Sequence, residues 1–227
     1  MLSQRMAAAV HVPLWIDLAA VAVGAMQGGA FAARSHERNE FDLLGVAVFA
    51  LAIGLGGGIL RDVLLDVVPA ALRDDRYLVT ALLAGLAGML AADHIPRLGL
   101  AWEALDAVVV GLFVVVGCLK ASQSADVTAG ATILLGAITG VGGSVLRDLL
   151  AQQPVALVQR TTPYALVAIL GAATFVALDE AGARSAVAGA ACLAVVFVVR
   201  LVAVARGWRS PAPRVASPRA VNSRAGR

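Results

Sequence analysis

The sequence predicts an all-α polytopic membrane protein with seven transmembrane helices, arranged as two inverted three-helix repeats plus a seventh helix. Three observations predict it. Of 227 residues, 60% are hydrophobic and only 15% charged, against about 25% charged in soluble domains, so the polar shell of a soluble core is missing. The apolar residues fall into seven runs near the roughly 20 residues that span a bilayer. One nine-residue phrase occurs twice, GLGGGILRD at 54–62 and GVGGSVLRD at 140–148.

The runs are taken in order, each expected as a helix. Span 1 (14–33) has Asp17 near its start, where a helix dipole favours an anion, and carries Gly24 and Gly28 at the four-residue spacing of helix contacts. Span 2 (43–65) holds the first glycine phrase. Span 3 (77–92) opens at Tyr77, after Pro69. Span 4 (105–121) opens at Asp106, an N-terminal anion like Asp17, and ends at Lys120. Span 5 (128–150) holds the second phrase. Span 6 (164–178) opens at Tyr164, and span 7 covers 185–205. The third, fourth and sixth runs are short and are expected to extend into their flanks. Polar connections at 34–42, 73–76, 93–101, 122–127, 159–163 and 179–184 separate them.

The repeat reaches beyond the phrase. Eleven residues after Asp17 and Asp106 come Gly28 and Gly117, then the phrases, then Pro69 and Pro154, then Tyr77 and Tyr164. Spans 1–3 therefore match spans 4–6. Three crossings are an odd number, so the second copy enters the membrane in the opposite direction. Such inverted repeats hold their functional site near mid-depth, at the repeat interface. The expected organisation is an outside N-terminal segment (1–13), a first repeat (14–92), a second repeat (101–178), a seventh helix (185–205) and a disordered, basic cytoplasmic tail (206–227).

Charge sets the orientation. Net charge is +3, and Arg206, Arg209, Arg214, Arg219, Arg224 and Arg227 lie in the tail among prolines and serines, a composition that stays disordered. With the N-terminus outside, the inside also receives Arg34, Arg38, Arg97 and Arg160. The outside receives Arg5, Arg73, Arg76, Lys120 and Arg184. The tail decides for a cytoplasmic C-terminus, facing lipid rather than nucleic acid. Cys118 and Cys192 lie in apolar runs and are expected to pack. His11, His36 and His94 are scattered. No catalytic triad, metal-ligand set or enzyme-spaced carboxylate pair occurs, so neither an enzyme nor a bound cofactor or metal is expected. The first phrase superficially matches a phosphate loop, but lacks the Lys-Ser/Thr and the strand context that motif needs.

The phrases carry the candidate site: Gly54, Gly56, Gly57, Gly58, Arg61 and Asp62, and in the second copy Gly140, Gly142, Gly143, Ser144, Arg147 and Asp148. Each interior glycine weakens a helix by roughly 1 kcal/mol, so spans 2 and 5 are expected to kink or break there. Open backbone at membrane depth must line water or lie inside protein. Close helix packing is the alternative use of small residues. An intramembrane charge most often faces a cavity. Adjacent residues point about 100° apart on a helix, so each Arg is expected to pair across the repeat, as Arg61 with Asp148, or with freed carbonyls. An ion-pair lock between helices is the structural alternative. Lys120 either snorkels to the interface or lines a pore mouth.

Two copies of Asp…Gly…, then GLGGGILRD or GVGGSVLRD, then Pro and Tyr, in a seven-span chain, resemble the prokaryotic trimeric intracellular cation (TRIC) channel family, whose bacterial relatives are also named UPF0126 or "glycine transporter" domain proteins. The resemblance covers about residues 14–205. It implies a homotrimer in the cell membrane, each protomer with its own hourglass pore for potassium and sodium, lined by spans 2 and 5 at Gly56, Gly57, Gly58, Gly142 and Gly143. Ser144 departs from a third glycine. Broken helices, an inverted repeat and midplane charges equally describe a secondary transporter, for a small solute such as glycine.

Overall fold

The computed structural model describes residues 13–35, 41–94, 99–124, 126–158 and 164–208. Most of the N-terminal segment, nearly all of the basic tail, and Arg38, Arg97 and Arg160 lie outside them. The described residues form α1 (Leu14–Ser35), α2 (Leu43–Leu64), a one-turn α3 (Ala70–Arg73), α4 (Asp75–Leu90), α5 (Leu100–Ser122), α6 (Ala129–Leu150), a 3-10 turn (Ala156–Val158), α7 (Tyr164–Glu180) and α8 (Ser185–Ala205).

Each expected span falls on a helix. Five of them, α1, α2, α5, α6 and α8, are long and apolar enough to cross a membrane. The fourth run extends N-terminally as expected, to Leu100. α4 and α7 stay at 16 and 17 residues. The turns at Ala70–Arg73 and Ala156–Val158 were not foreseen. Large side chains such as Trp15, Leu44, Leu83, Leu90 and Leu149 stand exposed. Their number is what an apolar solvent around the bundle requires.

Helix ends follow local chemistry, and they match between the two halves. Asp42 accepts from the Gly45 N–H at 2.9 Å to open α2, and Thr128 accepts from the Ala131 N–H at 3.3 Å to open α6. Both side chains satisfy an N-terminal donor that the helix leaves unpaired. Both helices end in the same left-handed cap. The Leu65 and Val67 N–H groups return to the Arg61 and Asp62 carbonyls, and those of Ala151 and Gln153 to the Arg147 and Asp148 carbonyls. Asp66 (φ 55°) and Gln152 (φ 51°) take the left-handed position.

Between those ends α2 and α6 are continuous helix. The expected breaks at the glycine clusters are absent, and no run of freed carbonyls is available there as ligands. The glycines pack instead. A Cβ at Gly57 would run into the Thr139 carbonyl, and one at Gly143 would lie 2.5 Å from the Ile53 carbonyl oxygen. These contacts exchange partners 86 positions apart, as a two-fold contact between matched helices does. A Cβ at Gly142 would stand 3.0 Å from the Gly57 Cα, and one at Gly56 would meet the Leu146 side chain. Tertiary contact offsets the weak helix propensity of these positions.

α1 packs on α2 and α4, α5 on α6, and α6 on α2. α8 closes the second half by packing on α5 and α7. One apolar core joins α5 to α8 around Val114, Phe175 and Val196. It includes Cys118 and Cys192, both free and buried. A second core joins α1 to α5 around Val21, Leu55 and Phe113.

Candidate functional site

The phrases meet where α2 crosses α6, and their charged ends lie in matched surroundings. Arg61 donates from Nε (2.8 Å) and Nη2 (2.6 Å) to Asp62 Oδ1. Arg147 donates from Nε (2.8 Å) to Asp148 Oδ1, with Nη2 2.7 Å away. The other carboxylate oxygen caps the turn that follows: Asp62 Oδ2 accepts from the Ala70 N–H at 3.0 Å, and Asp148 Oδ2 from the Ala156 N–H at 2.8 Å. The expected pair of Arg61 with Asp148 is therefore replaced by pairing within each phrase. The long arginine stem bends its guanidinium around the helix, while the short Asp stays near its own backbone. Comparing Cβ directions alone overlooks that reach.

Contacts between the halves come from elsewhere. Lys120, in the last turn of α5, brings Nζ to 3.9 Å from Asp62 Oδ1. The Phe31 ring of α1 lies 5.3 Å from the Arg147 guanidinium carbon, within cation–π range. Lys120 thus joins the first phrase, and Phe31 the second.

Asp17 is in the first turn of α1 and accepts from the Tyr77 hydroxyl at 2.6 Å. Asp106 is not at a helix start, because α5 begins at Leu100. It accepts from Gln27 Nε2 at 3.1 Å and from the Tyr164 hydroxyl at 3.2 Å. Arg200 of α8 lies 3.4 Å from both Asp106 Oδ2 and Glu103 Oε2, and stacks 4.4 Å from the Tyr164 ring centre.

Two cavities flank the crossing. The larger holds about 360 Å³ and is bounded by Gln27, Arg34, Asp106, Ser144, Arg147 and Arg200, among others. The smaller holds about 20 Å³ and is bounded by Asp17, Gly58, Arg61, Asp62, Ala70 and Tyr77, among others. Asp17 and Arg34 sit 17 residues apart on α1, about 25 Å at a helical rise, so the cavities lie toward opposite ends of the bundle. Phe113 borders both. It belongs to the apolar core with Val21, Leu55 and Val109.

The candidate residues thus divide. Gly56, Gly57 and Gly142 close the helix crossing, and Gly143 both packs and borders the larger cavity. Gly54 and Gly140 border the smaller and larger cavities and pack against α1 and α5. Gly58 and Ser144 border a cavity, and a Cβ at Gly58 would have only Arg61 Nη2 nearby, at 3.7 Å. Sequence reasoning missed Gln27, Phe31, Glu103, Phe113 and Arg200. Arg200 had a signal, being an arginine inside an apolar run.

The family model described as "Glycine transporter" matches residues 14–93 and again 103–180. A UPF0126 membrane protein of Streptomyces coelicolor is 36% identical over 90% of this chain and 92% of its own. One from Deinococcus radiodurans is 34% identical over 70% and 72%. Among solved structures, a TRIC cation channel superposes with a TM-score of 0.80 at 26% identity, over 91% of this chain and 99% of that one. The TRIC orthologue of Rhodobacter sphaeroides superposes with a TM-score of 0.74 at 30% identity, over 86% and 97%. The chain belongs to the UPF0126 membrane-protein family, and with it to the prokaryotic TRIC family.

Proposed function

We propose that the protein is a monovalent cation channel with an hourglass path for potassium or sodium inside each protomer of a homotrimer. One observation carries this reading: two cavities approach from opposite ends of one bundle, bordered by corresponding residues of the two phrases, and Phe113 lines both. The likeness to TRIC cation channels supports it. The paired carboxylates answer the objection to arginines in a cation path, because Asp62 and Asp148 neutralise Arg61 and Arg147 where they stand. Gly58 and Ser144 face the ion, and the other phrase glycines set how closely α2 and α6 approach. The glycine clusters, where helix propensity is lowest, are the hinges about which α2 and α6 bend as the path opens.

In this reading the narrow point is an apolar constriction that gates by excluding water. Phe113→Ala removes the ring between the cavities. Potassium flux into liposomes, normalised to native oligomer, is expected to rise at least several-fold. Unchanged flux in a folded Phe113→Ala protein would move the path elsewhere.

The topology that goes with this function has seven crossings. The two three-helix halves are inverted repeats, the N-terminus is outside and the C-terminus cytoplasmic. A reporter that works only in the cytoplasm, fused after Arg227, is expected to be active. Activity of a periplasmic reporter at that position would reverse the orientation.

One specific observation favours a second reading, a secondary transporter of a small solute such as glycine. The cavities are unequal, about 360 Å³ against about 20 Å³, an asymmetry of the kind that one state of alternating access would have. Current steps in a planar bilayer identify the channel. Saturable counterflow of glycine without steps identifies the transporter.

A further inference from the structure

Arg200 is the charged side chain that the unrepeated helix brings to the larger cavity. α8 buries Cys192 and Val196 completely against α5 and α7. Arg200 follows at the same four-residue spacing, so the stripe that packs the helix also aims the arginine inward. Its side chain is 12% exposed. The Tyr164 ring holds the guanidinium from one side.

Its ion pairs differ in kind from those of the phrases. One nitrogen, Nη2, serves both Glu103 and Asp106, at 3.4 Å each, and the buried Nε has no hydrogen-bond partner among the described residues. The two-pronged geometry that makes arginine–carboxylate pairs strong is unused here. Two carboxylates face one guanidinium, a formal net charge of −1. Gln27 and Tyr164 also donate to Asp106. Arg147 stands across the same cavity but is already matched by Asp148, and Arg34 lies at the exposed rim. At the other cavity Asp17 has the Tyr77 hydroxyl. The residue matched there to Glu103 is Leu14, and the first repeat has no counterpart of α8. The acidic pair with its own arginine is thus a charged group of the larger cavity without a matched counterpart in the first repeat.

We propose that Arg200 is a specificity-determining residue. It is a tethered cation that offsets the Glu103–Asp106 carboxylates and sets how strongly the larger vestibule attracts mobile cations over anions. The inference rests on the channel reading for its effect on conduction, but not for its effect on the local potential.

Two measurements test it. In the first, Ser144→Cys places a thiol on the cavity wall, and its modification rates by cationic and anionic methanethiosulfonates are compared. This requires no conduction. Adding Arg200→Gln is expected to raise the cationic-to-anionic rate ratio about five-fold at low salt, the order expected for one unit charge across a cavity of this size. The change should shrink at 1 M salt, where screening acts over about 3 Å. Arg200→Lys should restore the parent ratio. Glu103→Gln, at a side chain 39% exposed, should lower it. In the second, potassium-over-chloride selectivity from reversal potentials should rise with Arg200→Gln and fall with Glu103→Gln. Shifted thiol ratios in a protein that never conducts would refute the channel reading and uphold the role of Arg200. Thiol ratios that move with neither Arg200→Gln nor Glu103→Gln would overturn the proposal, leaving Arg200 a packing residue.

Discussion

Gly57→Ala is expected to destabilise the protein by about 3 kcal/mol, the upper range for overpacking, while Gly58→Ala, one residue on, is expected to stabilise it by up to about 1 kcal/mol. At Gly57 the new methyl would run into the Thr139 carbonyl and lie 3.1 Å from its carbon. That neighbour is helix backbone, which no rotamer change can move aside. Relief requires α2 and α6 to separate, and the matched contact of Gly143 with Ile53 would separate with them. At Gly58 the nearest neighbour is an arginine nitrogen at 3.7 Å, an ordinary contact, so only the gain in helix propensity remains. Thermal unfolding of the detergent-solubilised oligomer measures both. Equal effects at the two positions would mean that the α2–α6 crossing is not held by Gly57. Because the glycines act through packing, a larger substitution such as Gly57→Leu is expected to cost the native assembly itself, and does not isolate conduction.

The sequence carried the helices well, because each apolar run is long and its ends are marked by chemistry close in the chain. Asp42 and Thr128 open helices, and Tyr77 and Tyr164 fall at the start of others. Matched glycine phrases were equally legible, since the repeat is written in the residues themselves. What the glycines do was not legible. Helix propensity is a local quantity, and a cluster of four suggests a break. Whether the clusters break or pack depends on the partner helix, here the Thr139 and Ile53 carbonyls, far away in sequence. Extension of the fourth run to Leu100 takes Trp102 and Glu103 into the first turn of α5 and leaves Asp106 inside the helix rather than at its start. Arg200 escaped because the repeat directed attention to paired features, and α8 has no pair. Phe113 escaped for a related reason: its matched position in the first repeat is Gly24, so the residue that borders both cavities is where the repeats differ.

Arg61→Ala is expected to cost about 3 kcal/mol, the lower end of the range for removing one partner of a buried ion pair. Arg61 is 3% and Asp62 1% exposed, so water cannot replace the lost guanidinium. The Ala70 N–H still serves Oδ2. Lys120, 3.9 Å from Oδ1, gives partial compensation, which keeps the loss at the lower end. Removing both charges, as Arg61→Ala with Asp62→Ala, should be less damaging than the sum of the single changes, because the second removes the carboxylate that the first left unpaired. The coupling should reach at least 1 kcal/mol, within the range for contacting residues. Arg61→Ala with Asp148→Ala should instead add within about 0.5 kcal/mol, since each carboxylate is held by its own arginine. The matched change Arg147→Ala should cost less than Arg61→Ala, because that side chain is 30% exposed and borders the larger cavity, where water can solvate Asp148 in its place. Unfolding of the four single and two double variants in one detergent decides the matter. Strong coupling of Arg61 to Asp148, with none to Asp62, would restore pairing across the halves and remove the adjacent Arg-Asp pair as the unit that ends each glycine helix.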